Sequence, residues 1–407
     1  MTTRSAIDLY SPDTYAGAMP HEAFAELRRE RPVLWQEEPA GPGYWALTKY
    51  DDVVTVSSDN VLFSSWRMGT NIEDPDTDGL AVIRTLMIDM DPPMHTKYRR
   101  LVSTGFTPKM IAALEPHVRT ITRRIVDGVA AKGACDFVTE VAAELPLAVI
   151  AEMLGVPDED HHKVFAWSNR LIGFDDPEYS TTLDDGRNAA MEMFLYANQL
   201  AVERKANPRD DLVSALMAAD VDGESLKEAD FDGFFILLAV AGNETTRNLI
   251  SGAMLALMQH PEQRARLAAD PSLMATAVEE FLRWVSPLIY FRRTASRDTE
   301  VRGQRIAEGD KLVMYYPSAN RDEDVFPDAG VFDVGRSPNP HMAFGGGGPH
   351  FCLGASLARL EIRIMFEELL RRLPDIEPAG PVQRLRSNFI NGIKHMPVRY
   401  TPAAVEG

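Results

Sequence analysis

From about residue 80 to 375, apolar side chains return at three- and four-residue intervals, the period of a helix with one buried face. Breaks at Pro146, Pro157, Pro208, Pro261, Pro271, Pro287 and Pro374 predict a succession of helices. Alternation takes over in a few short pieces, Tyr44 to Thr48, Arg293 to Ala295, Thr299 to Arg302, Lys311 to Tyr316 and Met396 to Tyr400. The fold expected from this pattern is mainly α with a small β region. Ser225 to Glu228 has the spacing of a capping box, and no proline follows until Pro261, so a helix of about 33 residues and about 50 Å is expected there. Its middle, Phe234 to Ala241, is apolar on every face and belongs at the centre of the molecule.

Directly after that apolar stretch comes Ala241-Gly242-Asn243-Glu244-Thr245-Thr246. A glycine, a carboxylate and hydroxyls inside a buried helix are costly unless they serve something. Gly242 and Thr245 are the places where the helix would open into a local bulge, a distortion frequent at functional sites. The competing reading is a satisfied core network with Thr245 bonded to the carbonyl four residues back.

The 407 residues carry 42 Lys and Arg against 60 Asp and Glu, a net charge of −18, which sets the chain against nucleic acid and anionic membrane surfaces. No linker, repeat or low-complexity stretch divides it, so one domain over 1–407 is expected. The N-terminus lacks the apolar core of a signal peptide, and no apolar run approaches the ~20 residues of a membrane span, so a soluble cytoplasmic protein without a membrane anchor is expected. The two cysteines exclude a disulfide framework and a built-in iron–sulfur cluster. Without a G-x-G-x-x-G fingerprint, there is no sign of a fused flavin or nicotinamide domain.

Cys352 lies in Phe344-Gly345-Gly346-Gly347-Gly348-Pro349-His350-Phe351-Cys352-Leu353-Gly354, just before a helical pattern from Ala355 that Pro374 stops. The glycine run lets backbone pass close to a large planar body, and the following helix adds its positive N-terminal end beside the sulfur. A thiolate ligand to haem iron is the chemistry this suggests; a buried free cysteine in a turn is the plainer alternative. Cys135 has neither His nor Cys nearby and reads as core packing. Asp74 to Gly79 starts like a calcium loop, but Thr85 falls where the loop needs its glutamate, so it is expected to be an acidic, mobile loop near a substrate entrance. His161-His162, among acidic residues, reads as a solvated face.

The Cys352 loop resembles that of the cytochrome P-450 haem-thiolate monooxygenases. His350, Gly348, Gly346 and Gly354 fall at the family spacing, while Phe344 lies one residue too far upstream. The lengthened loop, together with the stretch from Phe235 to Asn248, is similar to a bacterial subset that oxidises methyl-branched lipids and steroid side chains, and to terpene-alcohol hydroxylases. The resemblance implies haem b with Cys352 as its axial ligand, held by Ala241, Gly242, Phe344, Gly346, His350 and Gly354. It also implies propionate contacts from His95, Arg99, Arg293 and His350. Thr245 would handle dioxygen, with Glu244 relaying protons. A Glu280, Arg283 and Arg336 cluster would hold the cysteine loop.

By the same resemblance the substrate faces Trp66, Met87, Phe234, Leu238, Ala239, Leu288, Ile289, Tyr290, Phe389 and Ile390, nearly all apolar. The activity implied is insertion of one oxygen atom of O2 into a C–H bond of a methyl-branched fatty acid, isoprenoid or steroid side chain, near a terminal methyl. The partners implied are a ferredoxin and its NAD(P)H-dependent reductase, acting on a monomer. A peroxygenase on the same fold and a non-enzymatic haem sensor or carrier are the alternatives.

Overall fold

The computed structural model describes residues 7–179, 182, 184–209, 211–218, 220, 221, 224, 225 and 228–406. The expected central helix is present as Glu228–Gln259, 32 residues long. Two members of the expected capping box, Leu226 and Lys227, lie outside the described residues, and Ser225 sits in a two-residue strand. Phe231, Phe235, Ile250, Ala253, Met254 and Leu257 are buried to within 1% of completely, so the apolar pattern of this helix is a core pattern. Packed around it are the helices Glu144–Met153, His161–Ile172, Asp185–Ala206, Met274–Val285 and Ala355–Arg372.

The helix runs through its polar patch without a bulge. A Cβ on Gly242 would meet Ile150 Cγ1 at 2.7 Å, so the glycine lets the helix Glu144–Met153 approach closely. The bulge expected at Gly242 and Thr245 is thus replaced by close packing. A π-helical turn is found instead at Val138–Ala142.

Five strands make the main sheet, in the spatial order Val33–Gln36, Tyr44–Leu47, Lys311–Tyr315, Tyr290–Ala295, Phe63–Ser64. Tyr44–Leu47 and Lys311–Tyr315 pair in parallel, with Ala46 opposite Val313; every other pair is antiparallel. Arg293 is held in this sheet opposite Leu312. The strands at Val33–Gln36, Phe63–Ser64 and Ala134–Asp136, of two to four residues, carry no pattern that marks them in the sequence. Pro146, expected to stop a helix, sits instead in the first turn of Glu144–Met153, where no intrahelical N–H is lost. No helix among the described residues is long and apolar enough to cross a membrane.

Candidate active site

The glycine run is demanded by conformation and by packing. Gly345, Gly347 and Gly348 have φ of 101°, 96° and 76°, which side chains rarely adopt. A Cβ on Gly346 would come within 3.1 Å of Val53 O, and one on Gly348 within 2.6 Å of Ser57 O, so the loop lies against the helix Tyr50–Ser58. Ser57 Oγ donates to the Gly347 carbonyl at 3.0 Å. The Cys352 amide then closes the loop on the Phe344 carbonyl at 2.9 Å. Phe344 stacks under the Arg359 guanidinium, 4.6 Å away, while Arg359 holds Glu279 with two bonds of 2.6 and 2.8 Å. The extra residue before the cysteine therefore leaves the phenylalanine locked by a cation–π contact.

Cys352 keeps accessible surface although protein atoms crowd around its thiol. Burial pushes its thiol up, while the amides of Gly354 and Ala355 and the guanidiniums of Arg99 and Arg359 act to stabilise a thiolate. The sulfur sits two residues before Gly354, the N-cap of Ala355–Arg372, so the helix's positive end is aimed at it.

On the central helix, Ala241 is exposed and Leu237, Val240 and Thr245 are half-buried in the middle of an otherwise buried segment. Leu237, Ala241 and Thr245, four apart, share one face, and that face keeps accessible surface where the rest of the segment is buried. Thr245 Oγ1 donates to the Ala241 carbonyl at 2.9 Å, the core arrangement weighed against a functional one. Glu244 points elsewhere. It is 1% exposed, paired with Arg247, whose Nη1 donates to Asn169 Oδ1 at 2.7 Å. Burial pushes the Glu244 carboxyl up, and Arg247 partly offsets this. Asn243 Oδ1 and Arg247 Nε, both buried, lack hydrogen-bond partners.

The four expected propionate contacts come together. The His95 and His350 rings lie 4.2 Å apart, and the Nδ1 atoms of both are buried without partners. Burial, then neighbouring guanidiniums, lowers His95 to about 4 and His350 to about 2. Arg99 donates to the Phe351 carbonyl at 2.5 Å, linking the set to the cysteine loop. Arg293, 2% exposed, donates to the Arg292 carbonyl at 2.8 Å. Donors and cations so placed fit an acidic prosthetic group such as haem, whose carboxylates would reverse the depression of the imidazoles. Nearby Asp89 accepts from Thr70 Oγ1 at 2.8 Å, and burial raises its carboxyl to about 7. Neither Asp89 nor Asn169 carries a motif that marks it in the sequence.

Glu280, Arg283 and Arg336 meet as expected. Arg283 bonds both Glu280 oxygens at 2.8 and 2.7 Å, Arg336 approaches at 3.2 Å, and Asn339 and the Asp333 amide add bonds of 3.1 and 2.9 Å. Arg283 also donates to the carbonyls of Asn320, Ala329 and Val331, and Arg336 to those of Pro327, Asp328 and Val331. This cluster fixes the irregular segment 320–339 that leads to the cysteine loop.

The apolar candidates divide. Leu288, Phe389 and Ile390 gather with Ile172, Leu385, Val240 and Tyr179 in one cluster beside the central helix. Met87, Phe234, Leu238 and Ala239 belong to the main core. Ile289 and Tyr290, the latter opening the strand Tyr290–Ala295, pack in a separate core with Tyr44, Val313 and Tyr315, and Trp66 is covered by Arg84, 4.8 Å from its ring. The sequence gives no signal for Tyr179 or Val240 beyond their being apolar.

The acidic stretch expected to be a mobile loop is anchored at its start. Asp74 pairs with Arg292 at 2.8 Å and Lys311 at 2.9 Å, and Asp76 caps the helix Thr77–Ile83. His161 contacts the Val156 carbonyl at 3.2 Å, and no cluster of metal-ligating groups occurs among the described residues. Cys135 packs against the core, with burial pushing its thiol to about 11.

The profile of the cytochrome P-450 family matches residues 174–383. The methyl-branched lipid omega-hydroxylase of Mycobacterium tuberculosis is 47% identical over 390 residues, 93% of this chain and 90% of that protein. The steroid C26-monooxygenase of Rhodococcus jostii is 45% identical, covering 98% of this chain and 85% of that protein. A Mycobacterium marinum cytochrome P-450 solved with pseudoionone superposes with a TM-score of 0.92 at 41% identity, covering 98% of this chain and 100% of the other.

Proposed function

The chain belongs to the cytochrome P-450 family of haem-thiolate monooxygenases, and from that premise we propose that it uses Cys352 to hold haem b and hydroxylates an apolar lipid near a terminal methyl. The carrying observation is the Cys352 thiol, supported by two amides and two guanidiniums and followed by a helix N-terminus. His95, Arg99, Arg293 and His350 would take the haem's propionates. When bound, the haem supplies activation of O2 and transfer of one oxygen atom to carbon.

The protein's own residues supply position, dryness and protons. Leu237, Val240 and Ala241 present an apolar wall beside Thr245, so a substrate chain is desolvated before it reaches the hydroxyl, each buried CH2 contributing ~0.8 kcal/mol. Thr245 holds a hydroxyl at that wall, and Glu244, its neighbour in sequence, becomes a proton source for it only by turning away from the Arg247 guanidinium with which it is paired. The cluster of Leu288, Phe389 and Ile390 extends the wall and favours methyl-branched fatty acids, isoprenoids or steroid side chains. The relatives' names, a methyl-branched lipid omega-hydroxylase and a steroid C26-monooxygenase, support the same class. A ferredoxin reduced by its NAD(P)H-dependent reductase is the electron source this reading needs.

The test is the absorption of the reduced carbon monoxide complex. The parent and Cys135→Ala are expected to absorb where thiolate-bound haem does, and Cys352→His is expected to lose that band. A band surviving Cys352→His and lost in Cys135→Ala would refute the assignment.

A further inference from the structure

Three basic side chains of one C-terminal hairpin fasten the segment that follows the helix His161–Ile172. The hairpin pairs Gln383–Arg384 with Ile393–His395. Arg386 donates its amide to Asp176 Oδ2 at 2.9 Å and its Nη1 to the Asp175 carbonyl at 2.7 Å. Lys394 Nζ lies 2.9 Å from Asp176 and 2.7 Å from Glu178. His395 is bonded on both sides, Nδ1 to Asp136 Oδ2 at 2.5 Å and Nε2 to Glu178 Oε1 at 2.8 Å.

An imidazole between two carboxylates satisfies both only when each nitrogen carries a proton. The Asp136 end is fixed, since its other oxygen accepts the amides of Val138 and Met396 at 3.0 and 3.1 Å. The Glu178 end is one residue from Tyr179. That tyrosine lies under Lys394, 5.9 Å from its ring, and packs on Ile172, Leu385 and Ile390 with Val240. Glu178 is therefore the link by which the charge on His395 reaches an aromatic ring on the apolar cluster.

We propose that Tyr179 is a further substrate-facing residue and that His395, with Lys394, is the pair that positions it, so that lipid affinity falls when His395 loses its proton. This rests on the apolar-substrate reading above. The groups facing His395 are Asp136 on the strand Ala134–Asp136, Glu178 and Asp176 on the fastened segment, Lys394 beside it, and Glu140, which accepts the Asp136 amide and pairs with Lys132. Bonds to Asp136 and then Glu178 raise the His395 pKa above the ordinary histidine value. The charged bridge is consequently intact at low pH and lost as pH rises through that elevated value.

Farnesol, an uncharged isoprenoid alcohol, is the probe, because its own charge does not change. Its Kd, read from the haem absorbance shift, is expected to rise about fivefold between about pH 6 and about pH 9 in the parent. Deuterium uptake in 173–179 should rise over the same interval. His395→Gln and Glu178→Gln should bind with the weak, pH-independent Kd throughout, and His395→Lys should bind tightly throughout. Tyr179→Ala should weaken binding at every pH, with Tyr179→Phe restoring it. A His395→Gln curve that follows the parent's slope overturns the proposal. Absence of any lipid response at any pH would overturn the substrate reading instead, and deuterium uptake independent of pH would then overturn the bridge as well.

Discussion

Glu280 shows how much rests on a single buried charge. Its carboxylate is fully buried and takes bonds from Arg283, Asn339 and the Asp333 amide beside the Arg336 ion pair. Removing it leaves two guanidiniums inside the protein without their anion, so Glu280→Ala is expected to cost about 3–5 kcal/mol. Urea unfolding measures that cost. Because the same arginines cap five different carbonyls between Asn320 and Val331, haem retention should fall in parallel, and a variant that keeps parental stability would show that the carbonyl bonds alone suffice. The spacing of Glu280 and Arg283 is visible in the sequence, but a surface pair has the same spacing; only the fold distinguishes them. The opposite holds for Glu244, whose chemistry stands out in the sequence while Asn169, which accepts from its partner Arg247 across 78 positions, does not.

At the scale of elements, what was legible followed the length of the pattern. The central helix and the helix after Cys352 end within about one residue of where the prolines predict, since both carry many turns of one period. The alternation at Tyr44–Leu47, Thr299–Val301 and Lys311–Tyr315 is legible, whereas the strands Val33–Gln36, Phe63–Ser64 and Ala134–Asp136 and the helices His21–Glu30 and Tyr50–Ser58 are not, although the second of these helices packs against the cysteine loop. In the sequence the glycine run signals clearance for a planar group, and in the fold two of its glycines are also required against Val53 and Ser57. Gly348→Ala combines a φ of 76° with a Cβ at 2.6 Å from Ser57 O, and the expected cost is about 1–3 kcal/mol. A thermal melt of the variant, together with its carbon monoxide spectrum, checks this: lower stability with an intact thiolate band locates the effect in packing, and unchanged stability would contradict it.

For the whole molecule, the net charge of −18 makes the few basic residues near the cysteine side decisive for a partner that delivers electrons. Arg99 joins the helix Met94–Ser103 to the cysteine loop, which places Arg100, exposed on that helix, near the same face. Arg359, basic in the sequence and equally near, is already held by Glu279 and stacked on Phe344, so it contributes less free charge than its position suggests. An acidic ferredoxin should therefore depend more on Arg100 than on Arg359 for encounter. Arg100→Glu is expected to slow the second-order reduction rate about tenfold at low ionic strength, with the difference closing as salt screens the pair. Arg359→Gln should instead disturb the haem loop, visible in the carbon monoxide spectrum, with a smaller change in salt dependence. Stopped-flow reduction over a salt series separates the two, and equal salt slopes for parent and Arg100→Glu would exclude this face as the site of encounter.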